Sequence, residues 1–291
     1  MRVSDWVEAT RPKTLPAAVA PVLAGTAIAL GAGVWQPVAA VICLFFALLL
    51  QVGTNFANDY YDFVKGADRP TRRGPTRASA SGKVEPKVMR RAAMLVFAVA
   101  FVVGLQLVWF GGWWLMPLGV LCILSGWAYT AGPFPLAYNG LGDLFVFLFF
   151  GLVAVNFTYF VQAGGFSPEA LAVSIGIGAL AANILVINNL RDHEDDRLSR
   201  KNTLAVLLGK PFAMGQFLFQ TFLAVLVPLG LAVATGNAFL LIPLLAFGLS
   251  VPLGQILGKI DREVILANRA LAMTGQQLAL YGVLWWPAYL L

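Results

Sequence analysis

Residues 37–68 read PVAAVICLFFALLLQVGTNFANDYYDFVKGAD, and the change of character within this stretch decides the fold. Residues 37–58 are predominantly apolar and long enough to cross a bilayer as a helix, which takes about 20 residues. The end of the run then brings in Asn55, Asn58, Asp59, Asp62 and Asp68. A membrane span that ends in amides and carboxylates has a chemically equipped end.

Working outward, apolar windows of similar length recur near 14–34, 89–110, 113–131, 141–162, 169–190, 211–235, 238–257 and 271–290. The chain is 59% hydrophobic and only 12% charged over 291 residues, whereas a soluble domain carries about 25% charged residues. Lipid is therefore the solvent for most of this chain, and the fold expected is an all-α membrane protein of nine transmembrane helices in a single domain spanning 1–291. Arg2, Arg11 and Lys13 precede a retained first span rather than a cleavable signal peptide. Cys43 and Cys122 fall inside apolar runs and read as small buried residues, not as a disulfide or metal pair. The one histidine, His193, excludes a multi-histidine metal site. Trp35, Trp109, Trp113, Trp114, Trp285 and Trp286 lie near span ends, where an aromatic belt is expected.

Nine spans with an internal N-terminus collect all 20 Lys and Arg on one face, in the tail, the segment around 59–88, 191–210 and 258–270. Of the 14 acidic residues, only Glu169 falls on the other face. The positive-inside rule makes the charged face cytoplasmic, in a multi-pass inner or plasma membrane protein. The basic segments suit anionic lipid headgroups. Their interleaved acids, without a recognised motif, argue against nucleic acid.

Two carboxylate clusters stand out. If the helix continues past 58, Asn55, Asp59 and Asp62 lie at i, i+4 and i+7 on one face. The sixth span ends in Asn188-Asn189-Leu-Arg191-Asp192-His-Glu-Asp195-Asp196, with Asn188, Asp192 and Asp196 at i, i+4 and i+8. Carboxylates this dense repel unless something positive lies between them. Oxygen donors of this kind suit Mg²⁺ that shares its shell with phosphate oxygens, and the surrounding Lys and Arg suit a diphosphate. Either cluster alone would pass for a solvated helix end. Two matched clusters, each with Asn one turn deeper, weigh for a functional site.

Asn55-x-x-Asn58-Asp59-x-x-Asp62-x-x-x-Gly66-x-Asp68 resembles the first aspartate-rich motif of the UbiA-type intramembrane prenyltransferases, and Asn188-Asn189-x-Arg191-Asp192-x-x-x-Asp196 resembles the second. Four other segments are similar to the branch that prenylates 1,4-dihydroxy-2-naphthoate in menaquinone synthesis. They are Arg11-Pro12-Lys13-Thr14-Leu15, Gly74-Pro75-x-Arg77, the stretch from Tyr129-Thr130 to Gly142-Asp143, and Lys201-Asn202-Thr203-Leu204. The resemblance covers nearly the whole chain. Two positions depart from it: Gly66 stands where a third Asp often falls, and Arg200 stands where Gly usually precedes Lys201.

The resemblance implies nine helices around a central cavity, a cytoplasmic cap of loops, a polyprenyl diphosphate donor, Mg²⁺ as cofactor and an aromatic acceptor. It implies that Asp59, Asp62, Asp192 and Asp196 are catalytic and hold the metal, with Asn55 and Asn188 ligating or orienting it. Asn58, Arg72, Arg77 and Lys201 would contact the donor, while Tyr60, Tyr129 and Tyr138 would lie near the allyl cation. Arg191 would face the acceptor carboxylate, bind diphosphate or neutralise the acidic cluster. For the naphthoate acceptor, decarboxylation would give a demethylmenaquinone. Acceptors such as 4-hydroxybenzoate are the nearest alternative, but the loop Gly132-Pro133-Phe-Pro135-Leu lacks the Lys-Arg pair those branches more often carry. A secondary transporter is the alternative from another class. Transporters commonly place carboxylates near the bilayer midplane, and here they lie at span ends.

Overall fold

In the computed structural model, described for residues 2–68, 74, 77–260 and 263–291, the chain is helical, with no strand among the described residues. The helices are α1 (Val3–Ala9), α2 (Pro16–Gly31), α3 (Pro37–Val64), α4 (Pro86–Gly111), α5 (Leu115–Ala128) and α6 (Gly142–Ala163). They continue with α7 (Pro168–Leu198), α8 (Leu204–Leu208), α9 (Lys210–Thr235), α10 (Ala238–Leu257) and α11 (Val264–Leu290).

Six of these are long and apolar enough to cross a membrane: α3, α4, α6, α7, α9 and α10. The α1–α2 segment, bent by 54° at Leu15, makes a seventh if the pair counts as one span. The windows expected at 113–131 and 271–290 are helical too. However, α5 has only 14 residues, and α11 carries Asn268, Arg269, Thr274 and Gln277 within its 27.

The helix ends explain where the charged residues go. α3 and α7 have 28 and 31 residues, which makes them about 42 and 46 Å long at 1.5 Å per residue. The hydrocarbon core is about 30 Å thick. Their last turns, carrying the two acidic motifs, therefore extend past the lipid.

α7 is the central helix. Its apolar window is 78% buried, against 17–28% for the other five spans. Small residues let its neighbours approach. A Cβ on Gly151 of α6 would come within 2.7 Å of Gly178 Cα, and one on Gly176 within 2.6 Å of the Tyr281 hydroxyl. At the Gly151 contact α6 winds as a π-helix over Phe147–Val153. The outer faces are apolar instead: Val102, Phe219, Phe222 and Leu245 are all exposed, as lipid contact requires.

Two asparagines within the spans donate to neighbouring groups. Asn156 donates to Leu152 O at 2.9 Å, and Asn183 to the Thr221 hydroxyl at 2.9 Å. Trp35, Trp109, Trp113 and Trp114 are exposed, as a belt would be. Trp285 corrects that expectation: it is fully buried between Tyr281 and Tyr289 and belongs to the core. Cys43 and Cys122 are free thiols.

Candidate active site

The two acidic helix ends are finished in the same way. After α3, Gly66 takes a left-handed conformation (φ 68°), and the Ala67 N–H returns to Asp62 O at 2.9 Å. After α7, Arg200 does so (φ 57°), and the Lys201 N–H returns to Asp196 O at 2.9 Å. This is the helix stop that glycine serves best. Both departures from the family pattern fall at these two stops. Gly66 turns the chain so that Asp68 comes back toward the site, and Arg200 occupies a glycine conformation.

Asp62, Asp68, Asp192, Asp195, Asp196 and Lys201 line a cleft of about 10 Å³, close to the room one water or small ion needs, about 10–15 Å³. The two motifs, distant in sequence, thus meet. The donors are carboxylate oxygens with an ammonium at the rim, a set that fits Mg²⁺ and a phosphate. Among the described residues no three acidic side chains converge as a finished cation cage. Lys201 lies 3.8 Å from Asp196, and Arg77 lies 3.6 Å from Asp68 and 3.9 Å from Asp62.

Several expected ligands have other partners. Asp59 does not line the cleft. Its two oxygens accept from the Ala78 and Ser79 backbone N–H groups, both at 2.9 Å, which fixes the loop that carries Arg77. Asn55 donates to Thr10 O at 2.8 Å and to the Thr14 hydroxyl at 3.3 Å, which ties the α1–α2 bend to α3. Asn58 accepts from the Thr130 hydroxyl at 2.8 Å. Asn188 accepts from Arg191 at 2.7 Å.

Arg191 is itself buried and engaged throughout. It grips both oxygens of Asp192 at 2.6 and 2.8 Å and donates to Asn268 at 3.1 Å. Of the three roles open to it, neutralising the acidic cluster matches these contacts. Arg72 lies outside the described residues.

Tyr138 donates its hydroxyl to Asp62 at 2.9 Å, while Lys65 and Lys201 sit 4.4 and 5.6 Å from its ring centroid. The ring thus lies beside two cations and does not line the large cavity, while its hydroxyl bonds Asp62. Burial, then neighbouring Asp62, pushes the Tyr138 hydroxyl pKa up, so it remains a donor. Tyr60 does not line the cavity either and instead lies against Arg90. Lys65 was not anticipated, although it follows Asp62 by three residues at the helix end. It donates to Thr130 O at 2.6 Å, and burial lowers its pKa. The Asn202 N–H reaches Tyr138 O at 3.2 Å, so three inter-helix segments are laced together over the acidic ends.

Behind the cleft lies a cavity of about 570 Å³. α3 lines it from Cys43 to Asp62, roughly 28 Å of helix. Asn58, Asp59, Arg77 and Lys201 stand at one end, and Phe46, Leu118, Phe149 and Val153 are among the residues lining the rest. At the far end Phe157 packs against Trp114 at 5.6 Å. Tyr129, Asp143 and Leu185 also line the cavity. Cys43 and Cys122 both line this cavity, which the sequence did not indicate.

Residues 18–289 match the model of the UbiA prenyltransferase family. The chain is 39% identical over 287 residues to a 1,4-dihydroxy-2-naphthoate octaprenyltransferase of Mycobacterium tuberculosis, covering 97% of each chain. It is 41% identical over 217 residues to the Escherichia coli protein of the same name, covering 72% of this chain and 70% of that one. Its fold is similar to that of a UbiA homolog from Archaeoglobus fulgidus bound to DMAPP and Mg²⁺, with a TM-score of 0.62 at 13% identity over 99% of both chains.

Proposed function

The chain belongs to the UbiA prenyltransferase family, and from that premise we propose that it transfers a polyprenyl group from polyprenyl diphosphate to 1,4-dihydroxy-2-naphthoate. Carbon dioxide is lost and the ring stays at the hydroquinone level, a demethylmenaquinol that oxidises to the demethylmenaquinone. The observation that carries this reading is the union of a carboxylate-and-lysine cleft with a long apolar cavity, which suits a charged head on an isoprenoid tail. The names of the relatives at 39% and 41% identity support the acceptor, as does a loop without Lys or Arg over Gly132–Leu136.

Asp62, Asp68, Asp192 and Asp196 are the residues that would hold Mg²⁺. When bound, the ion would act as a Lewis acid on the leaving diphosphate. Lys201 and Arg77 would bind outer diphosphate oxygens. The apolar walls exclude the water that would otherwise capture an allylic cation. Asp59 acts through the Ala78–Ser79 turn, holding Arg77 toward Asp62 and Asp68.

On the same reading α2 to α7 and α9 to α11 all cross the bilayer. Nine passages put the N-terminus and the laced loops, as a cap over the cleft, on the cytoplasmic side of the cell membrane. In a background lacking Cys43 and Cys122, cysteines at Lys83 and Asn237 should then label from opposite faces. Labelling from one face would overturn the arrangement.

The reaction is tested with purified protein, labelled polyprenyl diphosphate and a panel of 1,4-dihydroxy-2-naphthoate, 4-hydroxybenzoate and homogentisate. The expected result is prenylation of the naphthoate, lost with EDTA and restored by Mg²⁺. Prenylation of 4-hydroxybenzoate alone would sink the acceptor assignment.

A further inference from the structure

Asp143 is a buried carboxylate that the diphosphate site does not use. It stands in the first turn of α6, is 5% exposed and lines the large cavity. Among the described residues it forms no ion pair within 4.0 Å, and its side-chain partner is the neutral Gln216 of α9, whose Nε2 donates at 3.0 Å. The next residue back, Gly142, lies against Tyr129: a Cβ there would come within 3.0 Å of the Tyr129 hydroxyl. A carboxylate held by one amide keeps oxygen lone pairs for a further donor. Burying it without such a donor is costly.

We propose that Asp143 is the base that receives the hydroxyl proton of the aromatic acceptor, a phenol or hydroquinone seated against Tyr129 in the cavity. The inference rests on the acceptor class proposed above. When a ring carbon attacks the allylic carbon, a C–C bond forms and the C–O bond to diphosphate breaks, its electron pair leaving with the diphosphate. The ring supplies its electrons with help from the hydroxyl oxygen, which becomes a carbonyl as its proton passes to Asp143. Loss of carbon dioxide from the ring leaves that bond's electron pair behind. The ring regains aromaticity, and Asp143 returns the proton to the oxygen. No outside oxidant or reductant is needed.

The rival explanation is that Asp143 only braces α6 against α9, and Gln216 offers the means to separate the two. Its Oε1 is buried without a hydrogen-bond partner. In Asp143→Asn the new amide can donate to that oxygen while still accepting from Nε2, so the brace survives and the base is lost. Asp143→Asn should lower kcat by about 10²-fold or more, the usual contribution of general acid–base catalysis. It should leave thermal unfolding and the KM for polyprenyl diphosphate unchanged, and Asp143→Glu should recover part of the loss. Gln216→Ala, which cuts the brace and keeps the carboxylate, should retain most of the activity.

Wild-type turnover by Asp143→Asn would overturn the proposal, as would an equal loss of activity in Gln216→Ala. Failure of the wild type to prenylate the naphthoate would instead count against the proposed acceptor. The same variants would then be compared on whichever phenolic acceptor the wild type does use.

Discussion

Asp62→Asn is expected to lower prenyl transfer by about 10³-fold, the scale on which losing one preorganised electrostatic group at a reacting centre is felt. Asp62 is the first-motif carboxylate that lines both the large cavity and the small cleft. It also stands at the meeting point of the site, accepting from Tyr138 and facing Arg77. Asparagine can still accept from the Tyr138 hydroxyl, so folding should be little affected, while the anionic ligand is gone. The Mg²⁺ concentration needed for half-maximal rate should rise along with the fall in kcat. Asp59→Asn should behave differently. A carboxylate serves two backbone donors at Ala78 and Ser79; an amide serves one and points N–H groups at the other. The loop bearing Arg77 should loosen, raising the donor KM with the Mg²⁺ requirement unchanged. Equal increases in Mg²⁺ requirement in the two variants would show that Asp59 is a ligand after all.

That difference between Asp59 and Asp62 marks the limit of what sequence spacing can say. Helical periodicity puts Asn55, Asp59 and Asp62 on one face. Which of them meets a metal depends on what the chain folds onto that face. The partners of Asp59 come from a turn near residue 78, and those of Asn55 from the α1–α2 bend, neither of which periodicity encodes. The long spans were legible because lipid demands a uniform apolar length, and α4, α6, α9 and α10 lie within a few residues of their expected windows. α11 was the harder case. Its Thr274, Gln277, Tyr281 and Trp285 are buried against other helices rather than lipid, so polar and interfacial residue types mislead on a helix face that packs against protein. Asp68 was legible as an acid near the motif but not as part of the cleft, because the Gly66 turn that brings it back is a matter of backbone conformation.

Arg191 and Asp192 are expected to fail together. Asp192→Ala would leave a guanidinium, 3% exposed, held by two neutral amide oxygens from Asn188 and Asn268. Breaking a buried pair from one side typically costs about 3–5 kcal/mol, and Arg191→Ala should cost a similar amount by withdrawing the group that grips both Asp192 oxygens. The double variant should be destabilised by clearly less than the sum, because contacting residues couple. Equilibrium unfolding in detergent would measure this. Arg191→Lys should rescue little, since an ammonium cannot reproduce the two-pronged grip. In activity, Arg191→Ala should lower kcat through a displaced Asp192, with the acceptor KM changing little. Strictly additive destabilisation would break the pairing argument. A raised acceptor KM at normal kcat would return the guanidinium to the acceptor carboxylate and mean that its grip on Asp192 is released when substrate binds.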